Sequence, residues 1–203
     1  MARPRLFTDD QVLDAARDVL ADPAVTRPTI AHISAASGIR TGSIYLRFAS
    51  RDELLARLWY RSIKRFHGGL LEALAGTDPL IDAALHIPRY CRAHPTEARA
   101  MKMYNRDQLR HIGSEDLRHA IVHINDDIDA ALVAAVRRDL GTAEPAALAV
   151  AEAAVKAIPY GLVRDNIAGA RPIPEWIDDA VRAAAAAVLA ECAPRRADLG
   201  AAQ

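Results

Sequence analysis

Apolar residues recur at helical spacing along almost the whole chain, with Pro and Gly as punctuation and no run of alternating β-branched residues. Val12, Leu13, Ala16, Val19 and Leu20 form one stripe. Phe7, Thr8 and Gln11 precede it as a hydrophobic staple and capping box, with Phe7 able to meet Val12. A second helix starts at Pro28-Thr29 with Thr29 as N-cap, turns Ile30 and Ile33 inward, and stops at Gly38, which supplies the left-handed residue of a turn. From Arg40 to Phe48 the inward positions are Ile44 and Phe48, which leaves Arg40, Thr41, Ser43 and Arg47 to point elsewhere. Ser50 and Glu53 then make a capping box for a long helix to about Ala75, and Leu54, Leu55 and Leu58 extend the core of the first three helices.

Further along, Pro79 opens a helix that ends before Pro95, and the next runs from there to about His111. Ser114 caps a long helix to about Asp139. Two more follow, from about Pro145 to Gly169 with a kink at Pro159, and from about Pro174 to Ala193. The fold class is therefore all-α: an N-terminal three-helix, helix-turn-helix head plus a larger C-terminal helical body, about nine helices in all. The expected division is a head over residues 6–66 with its helix-turn-helix at about 29–48, a body over 67–194, and a disordered tail over 195–203.

The head has the chemistry of a DNA-gripping element. Gly42 inside a short helix costs about 1 kcal/mol relative to alanine, and close approach of another body would explain it. With Thr41 and Ser43 it lets the helix start sink into a major groove, where hydroxyls and an arginine reach base edges and phosphates. Arg51 sits in a first helical turn, where a cation gains nothing from the helix dipole, and makes better sense facing a phosphate. Arg3 and Arg5 lie on an unpatterned arm, placed either to enter an adjacent minor groove or to remain a solvated tail. The competing view of the segment is a helix pair in an ordinary bundle.

The segment from Thr29 to Leu55 resembles the DNA-binding signature of the TetR family of bacterial transcriptional regulators. The resemblance is carried by Ile30-Ala31, Ser37-Gly38-Ile39, Gly42-Ser43-Ile44-Tyr45, Phe48 and Arg51-Asp52-Glu53-Leu54. It implies phosphate contacts from Thr29, Tyr45, Arg47 and Arg51, and groove contacts from Arg40, Thr41, Gly42 and Ser43. Three positions depart from the family's habit: Arg47 stands where many members have His, Arg51 where Lys is usual, and Thr41 where Lys is common. The first two keep a charged donor, whereas the third removes a charge beside the bases. The resemblance further implies a small-molecule effector, release from a pseudo-palindromic operator, and repression as the habitual mode.

Overall charge hides an asymmetry, because Lys plus Arg and Asp plus Glu both number 26. Residues 1–65 carry a net charge of +4 and the remainder −4. A basic head on a mildly acidic body fits a dimer gripping phosphates. No apolar run approaches 18 residues without a charge or Pro, and no apolar signal segment starts the chain, so a cytoplasmic protein is expected and a membrane partner is not. Cys91 and Cys192 fit no metal or redox spacing and read as reduced thiols.

Homodimerisation is expected through about 145–169 and 174–193, where Ala-rich faces allow close packing and Val150, Val155, Ile158, Leu162, Ile177, Val181, Val188 and Leu189 supply apolar area. Those same faces could instead complete the core of one subunit. Between head and dimer helices, Trp59, Phe66, His86, Tyr90, Met101, Met103, Tyr104, His111, His119 and His123 mix apolar bulk with polar tips, as a ligand cavity does. His119 and His123 lie at i and i+4, a spacing that can hold one metal ion, but no Glu follows His119 and no Cys is near. No GxSxG elbow, GxxxxGK loop or GxGxxG turn occurs, so neither an enzyme nor a resident cofactor or metal is expected. A helical adaptor that has lost DNA binding is the remaining rival, and it leaves the clustering of Arg40, Tyr45, Arg47 and Arg51 unexplained.

Overall fold

The computed structural model describes residues 7–22, 25 and 27–191. Arg3, Arg5, Cys192 and the tail expected over 195–203 lie outside the described residues. Among the described residues all regular structure is helical. In chain order the helices are α1 (Asp9–Ala21), α2 (Ile30–Ser37), α3 (Thr41–Tyr45), α4 (Arg51–Ala75), α5 (Pro79–Ala93), α6 (Pro95–Lys102), α7 (Arg106–Leu109), α8 (Glu115–Val122), α9 (Asp126–Leu140), α10 (Pro145–Glu152), α11 (Ile158–Ala168) and α12 (Trp176–Ala190), with a π-helical turn over Ala153–Ala157 joining α10 to α11.

These number more than nine because polar side chains restart helices inside stretches whose apolar spacing reads as continuous. Asn105 accepts the Gln108 N–H at 2.9 Å while Gln108 accepts the Asn105 N–H at 2.9 Å, so a capping box begins α7 inside the helix expected from Pro95 to His111. The long helix expected from Ser114 to Asp139 is also two. Ser114 does cap α8, accepting from the Leu117 N–H at 3.3 Å, but the backbone leaves the helix at His123, and Asp126, Asp127 and Asp129 give α9 an acidic first turn that favours a new N-terminus. In the Pro145 run the π turn ends at Ala157, and Ile158 separates it from Pro159, which has no N–H for the carbonyl four residues back.

The chain forms two compact units. Among the described residues, the first comprises those within 7–66, 94–125 and 167–170, the second those within 67–93, 126–166 and 171–191. The unit that contains residues 7–66 also takes in 94–125. Its α1 opens as expected: Thr8 accepts from the Gln11 N–H at 3.2 Å and Gln11 returns to the Thr8 N–H at 2.8 Å. Thr29 caps α2, accepting from the His32 N–H at 3.2 Å, and Gly38 ends it at φ +69°, which only glycine adopts without strain. At the start of α4, Ser50 accepts from the Glu53 N–H at 3.1 Å, while the Glu53 carboxylate accepts the Ala49 N–H at 3.0 Å.

The second unit packs α5 against α12 and the π turn. Asp178, in the first turn of α12, pairs with Arg89 at 3.0 Å and Arg92 at 2.7 Å, both on α5. Burial would raise the Asp178 carboxyl, but the two guanidinium groups outweigh it and hold the group below the usual carboxylate range. Cys91 is buried here, and burial pushes its thiol up to about 12, which keeps it unreactive.

Val155, Ile177, Val181 and Leu189 are buried in this unit, so they complete its own core and cannot supply dimer area. Val150, Ile158 and Val188 are half-buried and Leu162 is exposed. The helical run Pro145–Ala168 has a mean hydropathy of 1.5 over an 18-residue window, of which only 33% is buried. By length and composition alone it could cross a membrane, although it carries Glu152, Lys156, Arg164 and Asp165.

Candidate nucleic-acid interface

The recognition segment is too short to hold its shape alone, since isolated helices below about 12 residues are marginal in water. It is held by two anchors. Ile44 and Phe48 are fully buried among Val12, Leu13, Ile33 and Leu55, in a core closed by α1, α2 and the first turns of α4. With those two pointing in, Arg40, Thr41, Gly42 and Tyr45 are exposed and Ser43 is half-buried. The Arg40 backbone carbonyl accepts the Ser43 and Ile44 N–H groups at 2.8 and 3.2 Å, which seats it at the helix start, and among the described residues its guanidinium makes no ion pair. Thr29 uses its oxygen lone pair for the α2 cap, which leaves its O–H free to donate outward. Among the described residues Arg51 pairs with Asp52 at 3.6 Å, and its buried Nε has no hydrogen-bond partner.

Arg47 is placed differently. Its guanidinium lies over the Phe7 ring at 4.6 Å, donates to the Phe7 carbonyl at 2.9 Å and pairs with Asp9 at the start of α1. It therefore fastens the end of the recognition segment to the first helix, and its charge is already met. Arg57 pairs with Glu53 at 2.7 Å, and Arg61 with Asp10 and Asp14 at 2.7 and 2.8 Å, so the cations open to DNA are fewer than the number of basic residues in the region implies. Replacing Arg47 with Ala is expected to destabilise the head by about 1 kcal/mol while leaving the salt dependence of DNA binding unchanged. Thermal melts and a salt titration check this, and a flatter titration would restore Arg47 as a phosphate contact.

Three further outward residues escaped sequence reasoning. Arg27 and His32 are exposed beside Thr29, and Leu46, directly after α3, is 87% exposed. Position next to a cap was the only signal for the first two. Residues 12–58, which span this whole arrangement, match the family described as bacterial regulatory proteins, tetR family.

The N-terminal domain is that of the TetR family. The fold beyond it agrees. A transcriptional regulator from Rhodococcus sp. Rha1 superposes with a TM-score of 0.70 at 20% identity, covering 91% of this chain and 97% of that one. A TetR-like transcriptional regulator from Rhodococcus sp. RHA1 gives a TM-score of 0.66 at 21% identity, covering 93% and 99%. SmeT, the repressor of the Stenotrophomonas maltophilia multidrug efflux pump SmeDEF, gives 0.57 at 19%, covering 92% and 89%. No curated protein matches in sequence. Domain and fold together support a DNA-binding transcriptional regulator.

The residues expected to line a ligand cavity are spread over both compact units. In the first, Trp59 is buried, donates its Nε1–H to the Met101 carbonyl at 3.1 Å, and packs with Leu109, Ile121 and Ile124 as ordinary core. Phe66, Met101 and Tyr104 are half-buried and Met103 is exposed. His111 is exposed and accepts from Arg110 Nε at 3.1 Å. His119 and His123 are exposed with ring centroids 4.4 Å apart, and no group of three or more metal-ligating residues occurs among the described residues. In the second unit His86 and Tyr90 are half-buried with ring centroids 5.5 Å apart.

Proposed function

We infer that this TetR-family chain is a homodimeric repressor which binds a pseudo-palindromic operator in double-stranded DNA and is released by a small-molecule ligand, working in the cytoplasm. The observation that carries DNA binding is the outward set on one helix-turn-helix: Arg40, Thr41, Gly42 and Tyr45, exposed opposite the Ile44 and Phe48 anchors, with Ser43 half-buried among them, Thr29 exposed at the α2 cap and Arg51 half-buried at the start of α4. Dimerisation is supported by apolar surface left uncovered in the second unit. Trp176 is 61% exposed, and Ala183, Ala187 and Ala190 share its face of α12 at helical spacing. One five-residue recognition helix reads few bases, whereas two read half-sites about 34–36 Å apart or a multiple of that.

Repression is the mode of SmeT, whose fold this chain shares. Release by ligand would act as a population shift: a ligand that favours a dimer with wrongly spaced recognition helices by about 1–3 kcal/mol weakens operator binding roughly 5- to 150-fold. His86 and Tyr90 of the second unit, half-buried with ring centroids 5.5 Å apart, are the residues we assign to ligand contact.

The testing experiment is a mobility shift with DNA flanking the chain's own gene, titrated with salt and repeated with candidate ligands. Arg40→Ala, which takes one cation per subunit out of the groove, is expected to flatten the salt slope by roughly 2 for a dimer. Tyr45→Phe should weaken binding to all sequences alike. Unchanged slope and affinity in the Arg40 variant would remove this segment as the DNA-binding surface.

A further inference from the structure

Two observations on α3 have no explanation within the fold. The first is Gly42. Its backbone is outside the left-handed region, and a Cβ built on it would find nothing within 4 Å, so neither conformation nor packing requires glycine there. The second is Leu46, a large aliphatic side chain that is 87% exposed although four residues in this short segment are small or polar. The two are one surface. The Leu46 N–H bonds the Gly42 carbonyl at 3.2 Å, which keeps Leu46 in helical register, and at about 3.6 residues per turn it lies one turn beyond Gly42 on the side opposite Ile44 and Phe48. The most outward line of the recognition segment is thus a glycine followed by a bare isobutyl group.

Resting on the reading that this segment enters DNA, we propose that Leu46 is a specificity-determining residue which packs against the 5-methyl group of a thymine in the major groove, with Gly42 allowing the helix to come that close. The occupant follows from the chemistry of the groove. Its floor presents hydrogen-bond donors and acceptors at every base pair, and the thymine methyl is its only apolar feature. Leu46 has no polar atom with which to meet a phosphate. A leucine facing any other base edge would cover a donor or acceptor without replacing its water, and so would discriminate against it.

Deoxyuridine differs from thymidine by that methyl alone, which gives a direct test. A duplex is selected from a random pool by the full-length chain, and each thymine of one half-site is exchanged singly for deoxyuridine, with affinity read by fluorescence anisotropy. One position is expected to lose roughly fourfold with the wild-type chain, the scale of one buried methyl. Leu46→Ala, whose melting temperature should be unchanged because the side chain is exposed, is expected to lose at least as much on the thymine duplex and to be indifferent to the exchange at that position. Wild-type affinity in the Leu46 variant would overturn the proposal, as would losses from variant and exchange that multiply at every thymine. If the pool yields no preferred duplex, the regulator reading falls and takes this inference with it. If a duplex is selected and only the coupling is missing, the regulator reading stands without Leu46.

Discussion

Glu97→Gln is expected to lower the melting temperature of the unit that carries the DNA-binding head by roughly 4–8 °C at neutral pH, equivalent to about 2 kcal/mol in a chain of this size. Glu97 is buried in α6, yet its carboxylate accepts the Ser62 hydroxyl at 2.5 Å and pairs with Arg65 at 2.6 Å, both from α4, and with Arg17 of α1 at 3.2 Å. Three helices from distant parts of the sequence are thereby joined at one side chain. Burial alone would raise the carboxyl, but the donors from Ser62, Arg65 and Arg17 outweigh it and hold the group below the ordinary carboxylate range. A depressed folded-state value means that this stabilisation is complete above the unfolded-state value of about 4.3 and is lost as the pH falls through the folded-state value. The wild-type chain and the Glu97→Gln variant should therefore differ most near pH 7 and converge below about pH 4. Parallel melting curves at every pH would show that the carboxylate's charge contributes nothing. Ser62→Ala, which removes one donor and keeps the charge, should cost about 1 kcal/mol and leave the acid dependence in place.

This cluster also marks the limit of what the sequence makes legible. Locally, Glu97 reads as an acid in the first turn of a helix behind Pro95, favourable there through the helix dipole and needing no partner. Its partners are 32 to 80 residues away, and no spacing rule connects them. Arg47 is the same case: as a cation on a recognition segment it reads as a phosphate contact, and only three-dimensional placement beside Asp9 and the Phe7 ring shows its charge already met. The recognition fold itself was legible because each of its parts is local. The Thr8 and Thr29 caps, the Gly38 turn and the Ile44–Phe48 pair act within a turn or two of the chain, so pattern alone locates them. The helix breaks at Asn105 and His123 were not, because apolar spacing continues across them while side-chain caps and acidic first turns decide where helices restart.

Ala183→Glu combined with Ala187→Glu is expected to convert the chain to a monomer and to weaken operator binding by roughly 10²- to 10⁴-fold, the range over which linked sites exceed single ones. Both alanines lie on the exposed face of α12 with Trp176, while Ile177, Val181, Ala185 and Leu189 occupy its buried face. The substitutions thus add charge where the second unit's core is not touched, and glutamate is nearly as good a helix former as alanine. If two copies pair through this stripe, each carboxylate is brought against small, close-packed side chains without a counter-charge, and desolvation opposes association. Each monomer still presents an intact TetR-type head, so a single half-site should bind both forms with similar weak affinity. The loss should appear only on the full operator, because only there does a rigid pair gain from holding two heads at once. Light scattering gives the mass and anisotropy on half and full sites gives the two affinities. A variant that stays dimeric would place the subunit contact elsewhere on the second unit, and a monomer that still binds the full operator with wild-type affinity would show that pairing through α12 is not what makes the heads act together.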